Sequence, residues 1–448
     1  MAITKPRKLR RQKGAARPTL AAVLFMLAYL VSFLDRQILV MMIEPIQRDL
    51  ALTDTTFSLL HGTAFAFFYA IVGLFMGRIV DANPRIRVIS IAVALWSLAT
   101  ALCGVARGFV TLFIARMLVG IGEAGLTPGV FSAMSDLFKP HERSKAFGIY
   151  AMGIYLGTGA AFLLGGKLVE LLEDIPPVTL PIIGDLYSWQ LAFFIVGLPG
   201  ILLALAIVLL IPEPVRGAMD DHKHHRPDAH PATGFREFFS YYISHWRPYS
   251  GHNLGFGLHM LCAYALISWV PVIFLRVHGW EISQVGLSLG SILITVGPAG
   301  ALIGGLAARY LTTIGTEASD IKLGLLACVG LLAAGLIITR AATPNVALIG
   351  TATAIFFMAL PGGLNASSLQ TITPPQYRGQ AGALFLLVGN ILGLALGPLL
   401  VALVTDYAFS DQQRVGQSLE LVLLLTLPLA VFLLWRVRHF FALEPAVA

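Results

Sequence analysis

The 448-residue chain is predicted to be an all-α membrane protein, with twelve transmembrane helices forming two six-helix bundles with inverted repeats. Three observations predict it. Hydrophobic residues make up 57% of the sequence and charged residues only 12%, too little polar surface to coat a water-soluble body of this size. The apolar residues gather into runs of roughly 20, the length that crosses about 30 Å of hydrocarbon at 1.5 Å per residue. The basic residues behind a net charge of +7 fall in alternate loops rather than one groove, which speaks for a membrane and against nucleic acid as partner.

Residues 1–18 form a basic tail with seven Lys and Arg between Lys5 and Arg17. The apolar run behind it exceeds the 7 to 15 residues of a cleavable signal, so it is retained as helix 1. Helices 1 to 6 are placed at 19–43, 56–80, 87–106, 109–134, 146–172 and 190–211, making an N-terminal bundle of 19–211. Residues 212–248 read as a linker: Pro212, Pro214, Asp220, Asp221, Pro231 and the histidines His222, His224, His225 and His230 make its first part a solvated polar stretch, with no metal expected. The aromatic, Arg-interspersed run from Phe235 to Arg247 reads as a short helix in the headgroup layer. Helices 7 to 12 follow at 249–275, 283–311, 322–340, 346–369, 380–404 and 418–440, a second bundle of 249–440 ahead of a tail at 441–448. With both termini in the cytoplasm, most of the 31 Lys and Arg lie on that side, leaving Arg48, Arg107, Lys167, Arg276, Arg340 and Arg414 on the other. Cys103, Cys262 and Cys328 each fall in an apolar run with no metal-like spacing, so three free buried thiols are expected.

The bundles echo each other. Pro140-His141-Glu142-Arg143-Ser144-Lys145-Ala146 after helix 4 matches Pro375-Gln376-Tyr377-Arg378-Gly379-Gln380-Ala381 after helix 10, 235 residues on. Such duplication places one ligand site at the midplane between two repeats.

Four charges lie inside apolar runs: Asp35, Arg36, Arg116 and Glu123. Each costs at least about 2.5 kcal/mol in hydrocarbon, so they are expected to face a polar cavity and act there. Helical rise puts Asp35 about 24 Å and Arg116 about 20 Å from the cytoplasmic side, with Glu123 about 10 Å from Arg116 along its helix and only about 20° around it. One arginine then lies near two carboxylates. A carboxylate beside a guanidinium stays ionised and one parted from it in a dry site takes up a proton, so exchanging partners would move protons. The alternative is a purely structural bridge. Arg36, about 100° around from Asp35, faces either the neighbouring helix or an anionic part of a substrate. His259, Asn365, Ser367, Ser368 and Asn390 are further candidates for the cavity wall, since polar groups turn away from lipid; helix-to-helix hydrogen bonding is the competing role.

The turn after helix 2, Gly77-Arg78-Ile79-Val80-Asp81-Ala82-Asn83-Pro84-Arg85-Ile86-Arg87, resembles the GxxxDRxGRR loop of the major facilitator superfamily. Gly77, Asp81 and Arg85 stand in place, while Ala82 and Pro84 replace the expected Arg and Gly. Within that superfamily the chain is similar to the spinster branch of lysolipid and sphingolipid transporters. The resemblance rests on Phe33-Leu34-Asp35-Arg36, on Arg116 to Ala124 including Gly122-Glu123, on Asp136 to Ser144, and on Pro374, Pro375, Arg378 and Ala381. Organic-anion symporters share parts of the helix 1 and helix 4 patterns, so a proton-coupled symporter of small organic anions or a multidrug/proton antiporter is the rival expectation within transporters. The resemblance implies that Asp35, Arg116 and Glu123 handle protons and a substrate headgroup, that Gly77, Asp81, Arg85, Arg143 and Arg378 form a cytoplasmic gate, and that no cofactor beyond a proton gradient is used. It further implies a monomer in the plasma membrane, the inner membrane of a bacterium, moving an amphipathic or anionic lipid. Asn390 departs from the Asp that relatives carry in helix 11.

Other patterns carry less. Gly120-Ile121-Gly122-Glu123-Ala124-Gly125 fits a dinucleotide fingerprint but lies within a membrane helix and follows no strand. Gly286-Leu287-Ser288-Leu289-Gly290 lacks the strand-to-helix elbow of a hydrolase serine. An intramembrane enzyme would need a nucleophile and base aligned at one depth, and the helices offer none. A lipid sensor without flux is a further alternative.

Overall fold

The computed structural model describes residues 18–173, 178–180, 184–216, 219, 235–374 and 377–441. Both tails, the histidines at 222, 224, 225 and 230, and Pro375 lie outside the described residues. Twelve helices among those described are long and apolar enough to span a bilayer. Helices 1 to 6 occupy Pro18–Met41, Asp54–Ala82, Arg85–Cys103, Phe109–Leu137, Pro140–Glu173 and Ser188–Leu210, and helices 7 to 12 occupy Trp246–Arg276, Ile282–Thr313, Ser319–Thr339, Pro344–Ile372, Arg378–Phe409 and Val415–Val437. Large apolar side chains such as Leu202, Leu209 and Leu425 stand outward, which hydrocarbon solvates and water would not.

Helix 7 leaves the same face as helix 1, so the bundles repeat in one sense, while the two triplets within each bundle run oppositely. That shared face, where the described chain begins and ends, is the termini face; the other is the far face. Helix 1 packs on helix 5, helix 3 on helices 4 and 6, and helix 2 on helix 4; helix 7 packs on helices 11 and 12, and helix 9 on helices 10 and 12. The bundles meet along two seams, helix 5 against helix 8 and helix 2 against helix 11.

Local chemistry sets the ends. Thr53 accepts from the Thr56 amide to start helix 2, Pro344 opens helix 10 and Gly279, at φ 64°, turns helix 7 into helix 8. Interruptions are less regular. Helix 4 breaks at Ala124 and Gly125, helix 10 at Pro361, Gly362 and Gly363, and π-helical turns occupy Leu59–Thr63 in helix 2 and Ile391–Leu396 and Val404–Phe409 in helix 11. A small hairpin of β1 (Val178–Leu180) and β2 (Gly184–Leu186) sits between helices 5 and 6 on the far face; three-residue strands leave too little alternation to be seen in the sequence.

The linker helix, Phe235–Ser244, forms where the aromatic run predicts it. Its rings pack on the protein: Tyr241 stacks on Tyr377 at 4.9 Å and Phe238 meets the same ring, clasping the start of helix 11. The three cysteines are buried and free.

Candidate functional site

Helix 1 carries a stripe of Tyr29, Ser32, Phe33 and Arg36, spaced by three and four residues and so on one face. It meets Phe65 and Tyr69, one turn apart on helix 2, and Glu123 at the break in helix 4. Arg36 is the hub. Its Nη2 lies 2.5 Å and its Nε 2.7 Å from Glu123 Oε2, and its guanidinium stands over Phe33, Phe65 and Tyr69 at 4.8, 4.4 and 5.0 Å. Ser32 donates to the same carboxylate oxygen at 2.5 Å. Arg36 is 6% exposed and Glu123 1%, so the pair sits in a setting where aromatic faces replace water around the cation.

Asp35 points elsewhere. One residue before Arg36, it turns toward helix 3, where Thr100 donates to Oδ2 at 3.2 Å, and Oδ1 meets no partner among the described residues. Arg116 approaches from helix 4 but gives Nη1 to the Asp35 main-chain carbonyl at 3.5 Å. Its Nε and Nη2 have no partner among the described residues although the side chain is fully buried. This corrects the layout drawn from helical rise: Arg36, not Arg116, makes the ion pair, because the 100° step from Asp35 aims it at Glu123. Arg116 is left with open donors between the two carboxylates, whose fields both reach it.

The half-buried Tyr29 and Tyr264 also lie within electrostatic reach of Arg36. Tyr29 stacks on Tyr150 at 4.3 Å, and Tyr150 is held by Thr127 at 3.0 Å. One turn beyond Tyr264, Ile267 lines a small apolar cavity of about 20 Å³ between Phe162 of helix 5, Pro271, Leu289, Leu293 and Met358. Its one polar wall residue, Thr351, spends its hydroxyl on the Ala347 carbonyl. The sequence reading missed these aromatics, though the stripe at 29, 33 and 36 and the pair at 65 and 69 carried the signal.

The remaining candidates do not join the cluster. His259 is buried and gives Nε2 to the Phe357 carbonyl at 3.2 Å, tying helix 7 to helix 10. Asn365 accepts from the Ala366 amide, and its carbonyl, with Ser368 Oγ, meets His252. Ser367 is exposed and bonds Asp320. These polar groups are satisfied within the second bundle, the competing role the sequence left open. Asn390 stays half-buried beside the π-helical turn of helix 11.

The five gate candidates lie at the termini face. Arg85 is 1% exposed and does not reach across: it binds Asp136, Glu213 and the Ser132 and Pro214 carbonyls, while Glu213 also takes the Arg85 and Ile86 amides at 2.9 Å. It ties three segments of its own bundle, a role hidden in the sequence because Glu213 lies 128 positions away. Arg143 donates to Ser135 and Phe138, and Arg378 to Thr373, each closing its own turn. Asp81 is exposed, 3.9 Å from Arg216, and Gly77 faces open space.

Hydrogen bonds between the bundles gather toward the far face. Arg276 forks onto Asp54 at 2.7 and 2.9 Å and reaches Glu44 and Gln47 at 2.8 and 3.0 Å. Asp406 accepts from the Thr55 amide at 2.7 Å, and Ser268 meets His61 at 3.2 Å.

Comparison with known proteins agrees with this architecture. The sequence profile of the Major Facilitator Superfamily matches residues 25–440. The chain is 27% identical to the protein spinster of Drosophila melanogaster over 84% of its own length and 60% of that protein's. It is 25% identical to an MFS-type efflux pump of Mycolicibacterium smegmatis, over 91% and 90%, and 24% to a hexuronate transporter of Bacillus subtilis, over 86% and 88%. A bacterial homolog of the human lysosomal transporter spinster, solved inward-facing and unoccupied, superposes with a TM-score of 0.76 at 25% identity, covering 95% and 96% of the two chains. The chain therefore belongs to the major facilitator superfamily, as a multi-pass membrane transporter of the spinster type.

Proposed function

We propose that this transporter moves an amphipathic anionic lipid, of the lysophospholipid or sphingosine phosphate class, by proton-coupled alternating access, with the termini face in the cytoplasm of a bacterial inner membrane. The observation that carries the reading is a buried charge cluster edged by apolar surface: among the described residues Arg116 keeps open donors for a headgroup, and the apolar wall behind Ile267, which encloses only a small void in this conformation, would part to take a chain. Each carboxylate keeps one open oxygen among the described residues, but the proton belongs on Asp35, whose side chain meets only Thr100, whereas Glu123 is engaged through Oε2 by Arg36 and Ser32. A headgroup reaching Arg116 changes what stands beside Asp35, and a proton change on Asp35 alters the hold on Arg116. The far-face contacts of Arg276 support an inward-open resting state.

The decisive experiment is uptake into proteoliposomes of labelled lysophospholipid, sphingosine phosphate and a hexuronate, with and without a pH gradient. Lipid flux that follows the gradient supports the proposal. Hexuronate flux alone would replace it with a small-anion carrier, a second reading that the Bacillus relative favours.

A further inference from the structure

The two seams between the bundles are built differently. Helices 5 and 8 meet as regular α-helices at glycines, Gly286 lying against the Phe162 carbonyl and Gly290 against that of Gly159. Helices 2 and 11 meet instead through two π-helical turns, Leu59–Thr63 and Ile391–Leu396, one from each bundle. Gly62 lies so near the Leu394 carbonyl that any Cβ there would strike it. Single π turns are rare and gather where a helix must re-aim a side chain for function. Here the re-aimed side chain is His61.

His61 is 5% exposed. Its Nε2 crosses the seam to Ser268 Oγ at 3.2 Å, its Nδ1 has no partner among the described residues, and its ring lies parallel to Phe57. One turn along helix 2 the Phe65 ring lies under the Arg116 guanidinium at 5.6 Å, which brings His61 into the field of that cation with open donors. One imidazole thus touches the contact between the bundles on one edge and senses the charge cluster on another. Ser268 is one turn beyond Tyr264, whose ring lies within reach of Arg36, so helix 7 presents a single face to His61 and to the charge cluster.

We propose that His61 is a positioning residue that couples the buried Arg116–Asp35 cluster to closure of the seam between helices 2 and 11. The His61–Ser268 hydrogen bond forms when the far face closes, and the charge beside the ring sets its geometry. The proposal rests on alternating access but not on which substrate or ion is carried.

The test uses the full chain in lipid nanodiscs with spin labels at Arg48 and Gln412, exposed far-face positions in different bundles, and pulsed EPR distances. Wild type should give mainly the short distance. Loss of one hydrogen bond in Ser268→Ala or His61→Leu should raise the ratio of long to short distances roughly three- to tenfold, and the double variant should add nothing to either. His61→Gln places an amide nitrogen where Nε2 stands and should keep the wild-type distribution; His61→Asn, which mimics Nδ1, should behave like His61→Leu. In an Arg116→Gln background the His61→Leu effect should shrink. Unchanged distances in Ser268→Ala and His61→Leu, equal behaviour of the Gln and Asn variants, or a full His61 effect without Arg116 would each overturn the proposal. A single distance in every variant, Arg276→Gln included, would instead overturn alternating access itself.

Discussion

Arg36 and Asp35 are neighbours in sequence and serve different partners, and that division yields the sharpest predictions at the scale of single residues. Asp35→Asn removes the carboxylate that no guanidinium pairs with while leaving the Arg36–Glu123 pair intact. Such a variant is expected to bind substrate and exchange it across the membrane, but to lose acceleration by a pH gradient in liposome uptake. Retained gradient dependence would remove Asp35 from the coupling. Glu123→Gln should behave differently, because it strands a buried guanidinium: losing one partner of a buried pair costs about 3 to 5 kcal/mol, so the melting temperature should fall along with transport. Ser32→Ala, deleting one hydrogen bond, should cost about 1 kcal/mol. The four charges were legible in the sequence because each is expensive in hydrocarbon. Their pairing was not, since which carboxylate meets which arginine depends on how helices 1, 3 and 4 are rotated against one another. Thr100, Ser32 and the aromatic faces were likewise invisible to an argument about charge alone.

At the scale of the helix, length and composition located the spans to within a few residues, because bilayer thickness dictates them. The interruptions escaped. Nothing in Ser58-Leu59-Leu60-His61-Gly62-Thr63 announces a π turn, and the helix 11 backbone that Gly62 lies against is more than 300 positions away. The linker helix was legible from its aromatic run, but its clasp on Tyr377 needed a partner 136 positions from Tyr241. Packing makes a distinct prediction for Gly286. A Cβ there would push into the Phe162 carbonyl, and overpacking of this kind costs about 1 to 3 kcal/mol. Gly286→Val should therefore wedge helices 5 and 8 apart at the far face and increase thiol labelling of a reporter cysteine at Val277, an exposed far-face position. Equal labelling in the variant and the parent would show that this seam yields without opening.

For the whole molecule, the question is what holds the far face shut while the termini face admits substrate. Arg276 is the strongest candidate: it comes from helix 7, its side chain is 6% exposed, and it holds Asp54 with both arms of the guanidinium while reaching Glu44. Asp54 is fully buried, so salt screens this pair little. The Asp406 contact to the Thr55 amide acts beside it, one bundle capping the first turn of a helix in the other. Truncating one member of a buried charge pair costs about 2 to 5 kcal/mol, part of it from the stranded partner. A shift of about 3 kcal/mol is more than a hundredfold in a two-state ratio, enough to turn a mostly closed population into a mostly open one. Arg276→Gln should thus populate the state open to the far face without touching the Arg36–Glu123 site. Substrate binding should persist, while net uptake slows because the return to the termini-open state becomes unfavourable. Arg276→Lys, which keeps the charge but loses the two-armed fork, should fall between. The check is paired: far-face cysteine accessibility and initial uptake rate in the same vesicles. Accessibility rising as uptake falls, in the order wild type, Lys, Gln, would identify Arg276 as the latch. Uptake falling with no rise in accessibility would assign it to stability alone.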